Sequence, residues 1–223
     1  MKKVDFMSVL HKKTTRDYLA RVNDKEFPKY KAAELAKKFD FDYWDGDRRI
    51  NYGGYKYIEG RWEKVAREMI KHYNLPDKAK ILDIGCGKGF LLYDFKKCLP
   101  KSEIHGIDIS KYAIENGKDE IKDRLVHGNA NNLPWEDNYF DLVISIMSLH
   151  CLHSYDLLKS LKEMQRVGKN HKYLCVESYR NEKEKANLLY WQVTCEAFNT
   201  PEEWEWWFNL AGYNGDYSLN YFE

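Results

Sequence analysis

The sequence contains no C-x-x-C pair: its five cysteines, Cys86, Cys98, Cys151, Cys175 and Cys195, lie far apart. That scatter argues against a structural zinc and against the disulfide framework of a small secreted domain. An excess of either charge sign is missing too. The 36 lysines and arginines balance 35 aspartates and glutamates to a net charge of +1, so nothing marks a nucleic-acid or membrane-binding surface. No apolar run approaches membrane length, the first residues lack a signal-peptide core, and no repeat or low-complexity tract is visible. These absences lead to the expectation of a cytoplasmic protein without membrane or nucleic-acid partners. Hydrophobic residues make up 43%, enough for a real core, and 223 residues accommodate one α/β domain plus an N-terminal appendage.

What is present centres on Lys80-Ile-Leu-Asp-Ile-Gly-Cys-Gly-Lys-Gly-Phe90. Ile81, Leu82 and Ile84 form a short apolar run that ends in Gly85, Gly87 and Gly89, and a helical pattern through Leu91, Leu92 and Phe95 follows. That order reads as a buried strand, a tight glycine turn and a helix start. Glycines let the backbone adopt φ > 0 and approach a ligand, and a new helix presents unpaired N–H groups there. A dinucleotide fingerprint needs G-x-G-x-x-G, whereas here the third glycine comes one residue early, which disfavours an NAD-linked oxidoreductase. A second strand, Glu103 to Ile109, ends in Asp108, where an acidic side chain suits a ribose diol. A third element, Arg124 to Ala130, leads into Asn131-Asn-Leu-Pro-Trp-Glu-Asp-Asn-Tyr-Phe-Asp-Leu-Val-Ile-Ser145.

The D-x-G-x-G-x-G of residues 83–89, the acidic strand end and the 128–145 stretch, in that order, resemble the class I S-adenosylmethionine-dependent methyltransferases over residues 61–223. The resemblance implies an α/β, Rossmann-like fold: a mostly parallel sheet of about six strands with helices on both faces. It implies S-adenosyl-L-methionine as cofactor and S-adenosyl-L-homocysteine as product. Asp83, Gly85, Cys86, Gly87 and Gly89 would surround the methionine part, Asp108 would take the ribose, and Ile109 would lie against adenine. Asn129, where the family more often has Asp, would face the adenine amino group beside Ala130, and backbone after Ile146 would complete the pocket. Cys86 inside the turn reads as a small filler rather than a nucleophile.

Residues 1–60 differ in texture from the rest. Met7 to Asn23 and Pro28 to Phe39 read as two polar amphipathic helices leading into a loop rich in Gly, Asp and aromatics. Trp44, Tyr52, Tyr55 and Tyr57 in that loop would not sit exposed, since aromatics bury large areas. Two readings stand together: a strap packed on the core, and a lid over the cofactor pocket with Tyr52 and Tyr57 on the cofactor. Gly60 to His72 then makes an amphipathic helix stopped before Pro76.

After a fourth strand, Phe140 to Ile146, Met147-Ser-Leu-His-Cys-Leu-His153 should border the substrate, because ligands bind beyond the carboxyl ends of such strands. His150 and His153 lack a clear third ligand, so no metal is expected; His150 is the candidate for substrate contact or proton acceptance. A helix from Tyr155 to Val167 is expected to end at Gly168, followed by a fifth strand, His171 to Ser178. Glu177, Tyr179 and Arg180 lie at its carboxyl end, and Arg180 is a candidate clamp for an anion. Helices are expected over Lys183 to Phe198 and Pro201 to Ala211, with Trp204, Trp206 and Trp207 as packing residues, and a sixth strand over Gly212 to Phe222. The sheet edge there calls for cover by the N-terminal segment or by a second subunit in a homodimer.

Thr15 to Val22, Asp42 to Asp47, Tyr52 to Tyr57 and Pro201 to Trp204 carry a narrower resemblance, to small methyltransferases of bacterial capsule and surface-carbohydrate gene clusters. Some of those act on a phosphoramidate group. An acceptor that is already an anion needs no general base, and Arg16, Tyr18, Arg48, Tyr55, Lys56, His150, Tyr179 and Arg180 are then the candidates that hold it. A sugar hydroxyl needs a base, for which His150 and Glu177 are the candidates. A non-catalytic cofactor-binding subunit is the alternative from another class.

Overall fold

The computed structural model describes residues 1–11, 16–52 and 55–223. Six strands form one sheet with every pair parallel, in the order β3-β2-β1-β4-β5-β6. They are β1 (Lys80–Ile84), β2 (Glu103–Asp108), β3 (Leu125–His127), β4 (Phe140–Ile146), β5 (Gly168–Glu177) and β6 (Asp216–Asn220). A parallel strand covered on both faces reads as a near-continuous apolar run, and Ile81, Leu82 and Ile84 of β1 and Leu142, Val143 and Ile144 of β4 are fully buried.

The helices are α1 (Ser8–His11), α2 (Ala20–Asn23), α3 (Lys29–Ala36), α4 (Phe41–Trp44), α5 (Glu63–His72), α6 (Phe90–Cys98), α7 (Lys111–Glu115), α8 (Ser154–Val167), α9 (Glu182–Trp191) and α10 (Pro201–Ala211). One face of the sheet packs Ile81, Leu142, Ile144 and Tyr173 against Val65, Ala66 and Met69 of α5 and Leu91, Leu92 and Phe95 of α6. The other packs Leu82, Val143, Leu174 and Val176 against Leu157, Leu161 and Met164 of α8 and Trp204 and Phe208 of α10. Helix α10 shows why such segments are helical. Thr200 and Glu203 form a reciprocal capping box, Pro201 opens the helix, and Gly212 at φ 67° closes it. Its buried residues, Trp204, Phe208 and Ala211, share one face by their i, i+4, i+7 spacing.

Several boundaries differ from the sequence reading. The helix expected from Met7 to Asn23 is not continuous: α1 and α2 are short, and Asp17 accepts from the backbone N–H groups of Leu19 and Ala20 at 3.1 Å, a local turn that competes with helix. Residues 12–15 of that expected helix, and the Gly53-Gly54 pair of the aromatic loop, lie outside the described residues. Gly168 does not stand apart from the fifth strand; it begins β5 in an extended conformation (φ −85°, ψ 114°) directly after α8. The helix expected to reach Phe198 stops at Trp191. At the outer edge of β6 the N-terminal segment supplies the cover: Val4 N–H donates to Tyr217 O at 2.8 Å and Tyr217 N–H donates to Lys2 O at 3.0 Å.

Candidate functional site

The strand order turns around between β1 and β4, and a crevice beyond the carboxyl ends of these two strands is where such a sheet binds ligands. The glycine turn follows β1 and the Met147–Ser148 turn follows β4. Met147 adopts φ 55°, and the two turns nearly touch, since a Cβ on Gly85 would fall 1.9 Å from Ser148 Oγ. Gly85, Gly87 and Gly89 all have positive φ (76°, 54° and 76°), so the spacing of these residues is dictated by backbone conformation. A cavity of about 1000 Å³ opens here.

At its cofactor-type end, Asp83, Gly85, Cys86, Gly87, Asp108, Ile109, Asn129, Ala130 and Ile146 line the wall. Four of the loop amides are engaged within the protein. Gly85 and Cys86 N–H donate to Ile107 O (2.8 and 3.2 Å), Gly87 N–H to Asp108 Oδ2 (2.7 Å) and Gly89 N–H to Cys86 O (3.0 Å). What this end offers a ligand is close backbone approach and two buried carboxylates. The Asp83 side chain makes no hydrogen bond among the described residues; burial and the neighbouring Asp108 push its carboxyl up to about 7. Burial raises Asp108 as well, against hydrogen bonds from Ser110 and Gly87. The Asn129 side-chain oxygen accepts from Asn131 N–H at 3.1 Å. Burial pushes the Cys86 thiol well up, which makes it inert.

The N-terminal segment roofs this end. A Cβ on Gly87 would lie 2.6 Å from the Trp44 indole, and Trp44 Nε1 donates to Ser110 Oγ (2.8 Å) and Phe39 O (3.1 Å). Next to it Lys88, 8% exposed at its side chain, pairs with Asp45 at 2.7 Å, and Tyr112 OH donates to the same carboxylate at 2.8 Å. Neither Asp45 nor Lys88 was among the residues singled out from sequence. Each is an ordinary charged residue in its own segment, and only the fold joins them.

At the far end Tyr52, Tyr55, Arg16, Arg48, Lys56, His150, Glu177, Trp191, Gln192 and Thr194 line the cavity. Tyr55 packs against Trp44, ring centroids 4.6 Å apart. His150 is 2% exposed and Glu177 1%, and His150 Nε2 faces Glu177 Oε2 at 3.4 Å. Burial drives both to their neutral forms: the imidazole falls to about 3, and the carboxyl rises to about 8 against the hydrogen bond from Gln192 and the charge of Arg16. They meet as a neutral acid and a neutral imidazole, with His150 Nδ1 and Glu177 Oε2 lacking hydrogen-bond partners. Gln192 donates to Glu177 Oε1 and accepts from Tyr52 OH at 2.5 Å. Gln192 escaped notice because residues 192–198 read as more helix.

Other candidates stand away from the cavity wall. Tyr18 OH donates to Glu223 O at 3.0 Å, and its ring packs on Trp191 and Phe222. Tyr179 is buried with Leu188 and Phe222. Arg180 pairs with Glu184 and Glu223. Tyr57 OH donates to Asp94 Oδ1 at 2.7 Å behind the glycine helix. Gly89 is the N-cap of α6, where a Cβ would meet Ile121 and Leu125 at 2.9 and 3.1 Å. Among the described residues no three His, Cys, Asp or Glu side chains group to hold a metal, and no helix is long and apolar enough to cross a membrane.

Comparison with known proteins follows the same outline. A family model described as a methyltransferase domain matches residues 75–212. A demethylmenaquinone methyltransferase of Geobacillus sp. (strain WCH70) is 33% identical over 123 residues, a match covering 52% of this chain and 52% of that protein. The chain thus spans about half the length of that relative. A protein of the same name from Staphylococcus aureus (strain JH9) is 32% identical over 187 residues, covering 77% of this chain and 72% of the relative. Among solved structures, the YcgJ protein from Bacillus subtilis aligns with TM-score 0.52 at 22% identity over 66% of each chain. The [4+2]-cyclase SpnF aligns with TM-score 0.53 at 20% identity, over 76% of this chain and 61% of its own. These two likenesses are of fold.

Proposed function

Since this chain belongs to the methyltransferase domain family, we propose that it moves the methyl group of S-adenosyl-L-methionine onto a small, polar, anionic acceptor, with an oxygen of a phosphoramidate group as the specific target. On this reading residues 61–223 form the catalytic core and residues 1–60 its cap. The observation that carries it is one continuous cavity with Asp83 and Asp108 at one end and Glu177, His150, Arg16 and Arg48 at the other.

The residues present fit the cofactor. Asp83 is a buried carboxylate with no hydrogen-bond partner among the described residues, the complement of a cationic amino group. Asp108, fixed by Gly87 and Ser110, would take the ribose diol, and Ile109, 51% exposed, would lie against the face of a base. When bound, the sulfonium supplies an activated methyl group, so the protein's task is to align the acceptor and exclude water. Trp44 over Gly87 closes the cofactor end, while Arg16, Arg48 and Lys56 draw in negative charge. Burial makes His150 a poor base near neutral pH but brings the Glu177 carboxyl into the range of a proton acceptor, so what favours an anionic acceptor over a sugar hydroxyl is the pair of cations, Arg16 and Arg48, on the cavity wall.

A second reading has one observation in its favour. The relatives named above are demethylmenaquinone methyltransferases, and Tyr43, Tyr52, Tyr55 and Trp191 give this cavity aromatic walls suited to a ring. A methyl-transfer screen with S-adenosyl-L-methionine over phosphoramidates, phosphate monoesters, sugars and quinols decides among these acceptors. Formation of S-adenosyl-L-homocysteine with the anionic set is the expected result. Turnover confined to sugars or quinols would replace the proposed acceptor, and binding of the cofactor without turnover of any acceptor would leave a binding subunit.

A further inference from the structure

We propose that the acceptor carries a doubly charged phosphoryl group, held by Arg16 and Arg48 at the end of the cavity away from the glycine turn, with the buried Arg21 strengthening their field. The proposal deepens the reading of this cavity as a methyl-transfer site with an anionic acceptor and rests on it. A phosphoramidate anion carries one charge, so this group is additional to the methylated one.

The arginines divide by place. Of nine in the sequence, Arg49, Arg67, Arg124, Arg166 and Arg180 pair with Asp or Glu. Arg16, Arg21, Arg48 and Arg61 have no ion pair among the described residues, and all four stand at the cavity. Arg16, Arg48 and Arg61 line it, the last from the start of α5. Arg21 lies over the rings of Tyr52 and Trp191, at 4.9 and 5.1 Å, and both rings belong to the cavity wall.

Asn51 holds two of these guanidiniums. Its Nδ2 donates to Gly46 O and Asp47 O, both at 3.1 Å, which turns Oδ1 to accept from Arg48 Nη1 at 3.2 Å. Its main-chain oxygen accepts from Arg21 Nη2 at 2.5 Å. Burial lowers the Arg21 pKa, and the neighbouring charge of Arg48 lowers it further. Like charges gathered without a carboxylate cost stability, and a bound anion removes that cost. The carboxylates nearest in sequence are committed elsewhere, Asp47 to Arg49 and Asp45 to Lys88. Glu177, raised by burial to about 8, withholds its charge near neutral pH.

Arg21 is 8% exposed with Nη1 enclosed, so it acts by charge and not by contact. Arg48 is exposed and Arg16 half-buried, and both reach the cavity. The Arg16 guanidinium lies over Phe222 at 4.9 Å and Trp191 at 5.8 Å. Guanidinium forks match phosphoryl oxygens. This wall is remote from the glycine turn. From Trp44, over Gly87, ring contacts run through Tyr55 (4.6 Å), Tyr43 (5.2 Å) and Tyr52 (6.1 Å) to Trp191 (6.3 Å). Binding a group there positions the acceptor without touching the reacting oxygen.

The test is isothermal titration calorimetry at about pH 7 on the intact protein saturated with S-adenosyl-L-homocysteine. The probes are ethyl phosphate, dianionic above a second pKa of about 6, dimethyl phosphate, the same group with one charge, and inorganic pyrophosphate. Ethyl phosphate should bind at least about tenfold tighter than dimethyl phosphate. Pyrophosphate binding tighter than ethyl phosphate identifies a diphosphate, and weaker binding a phosphate monoester. Arg16→Gln and Arg48→Gln should each weaken ethyl phosphate by about tenfold or more, while Arg124→Gln, at an ion-paired arginine off the cavity, should not. Arg21→Gln should cost ethyl phosphate about twice as many log units as dimethyl phosphate, because Coulomb attraction scales with the charge of the ligand. A merely structural role would weaken both equally and would remove Arg21 from the subsite. Equal affinity for the two esters overturns the proposal, as does an ethyl phosphate affinity that neither Arg16→Gln nor Arg48→Gln alters. Failure of the homocysteine product to bind counts instead against the methyl-transfer reading, and the same titrations without it still decide the arginine subsite.

Discussion

Asp83→Asn should separate the charge of this side chain from its shape. The carboxyl is 5% exposed, has no hydrogen bond among the described residues, and is raised to about 7 by burial and by Asp108. Both causes penalise the charged form, and a cation bound beside it relieves both. A hydrogen bond to a charged group contributes about 1.5–3 kcal/mol, so Asp83→Asn should weaken S-adenosyl-L-homocysteine binding by about 10- to 150-fold between about pH 7 and 7.7, where carboxylate and ammonium coexist. The pH dependence has a definite sign. A ligand amino group stays cationic below about pH 7.7. From about pH 5.5 to 7 the wild-type carboxyl must lose a proton to pair with it, so affinity should rise with pH by up to about tenfold per unit and level off above the carboxyl's value. In Asp83→Asn the same interval should be flat. Isothermal titration calorimetry in two buffers of different ionisation heat reads both the affinity and the proton released. Equal affinities for the two proteins, or no proton release by the wild type at pH 6, would refute the pairing of Asp83 with a cation.

Other outcomes follow from the packing. Gly87→Ala forces a left-handed residue, costing roughly 1–2 kcal/mol, and drives a methyl into Trp44 at 2.6 Å; Tm should fall by at least about 2–8 °C. Adding Trp44→Ala should recover part of that loss, and strictly additive effects in thermal melts would argue against the contact. Trp204→Ala empties a fully buried site and removes the donor to Glu177 O, so calorimetry should register about 3–5 kcal/mol of lost stability. Arg180→Ala should leave kcat/KM unchanged, because Arg180 is turned to Glu184 and Glu223 rather than to the cavity. A large loss of turnover would return Arg180 to the acceptor site.

The sheet was legible because its strands are written locally. The span Phe140–Ile146 is apolar but for Asp141 and Ser145, and it is β4 as read. Pro201 to Ala211 carries cap, stop and face in its own residues. Where tertiary bonds decide, the reading failed: residues 192–198 continue a helical composition, yet Glu196 and Ala197 bond to His150 O instead of to the turn before them. The cofactor end was legible as residue types. The assignment of the loop's N–H groups was not, because Asp108 reaches Gly87 from a neighbouring strand. Tyr18, Tyr57, Tyr179 and Arg180 are near the site in sequence, but their partners Glu223, Asp94, Phe222 and Glu184 hold them elsewhere.

The pairing of Lys2 and Val4 with Tyr217 has a mechanical consequence. The roof over the cavity is fastened at its near end to β6 and at its far end to α5, which packs on the body of the sheet. Between these fastenings the segment is held to the glycine turn at one further point, where the Trp44 indole bonds to Ser110 and Phe39 O and Asp45 pairs with Lys88.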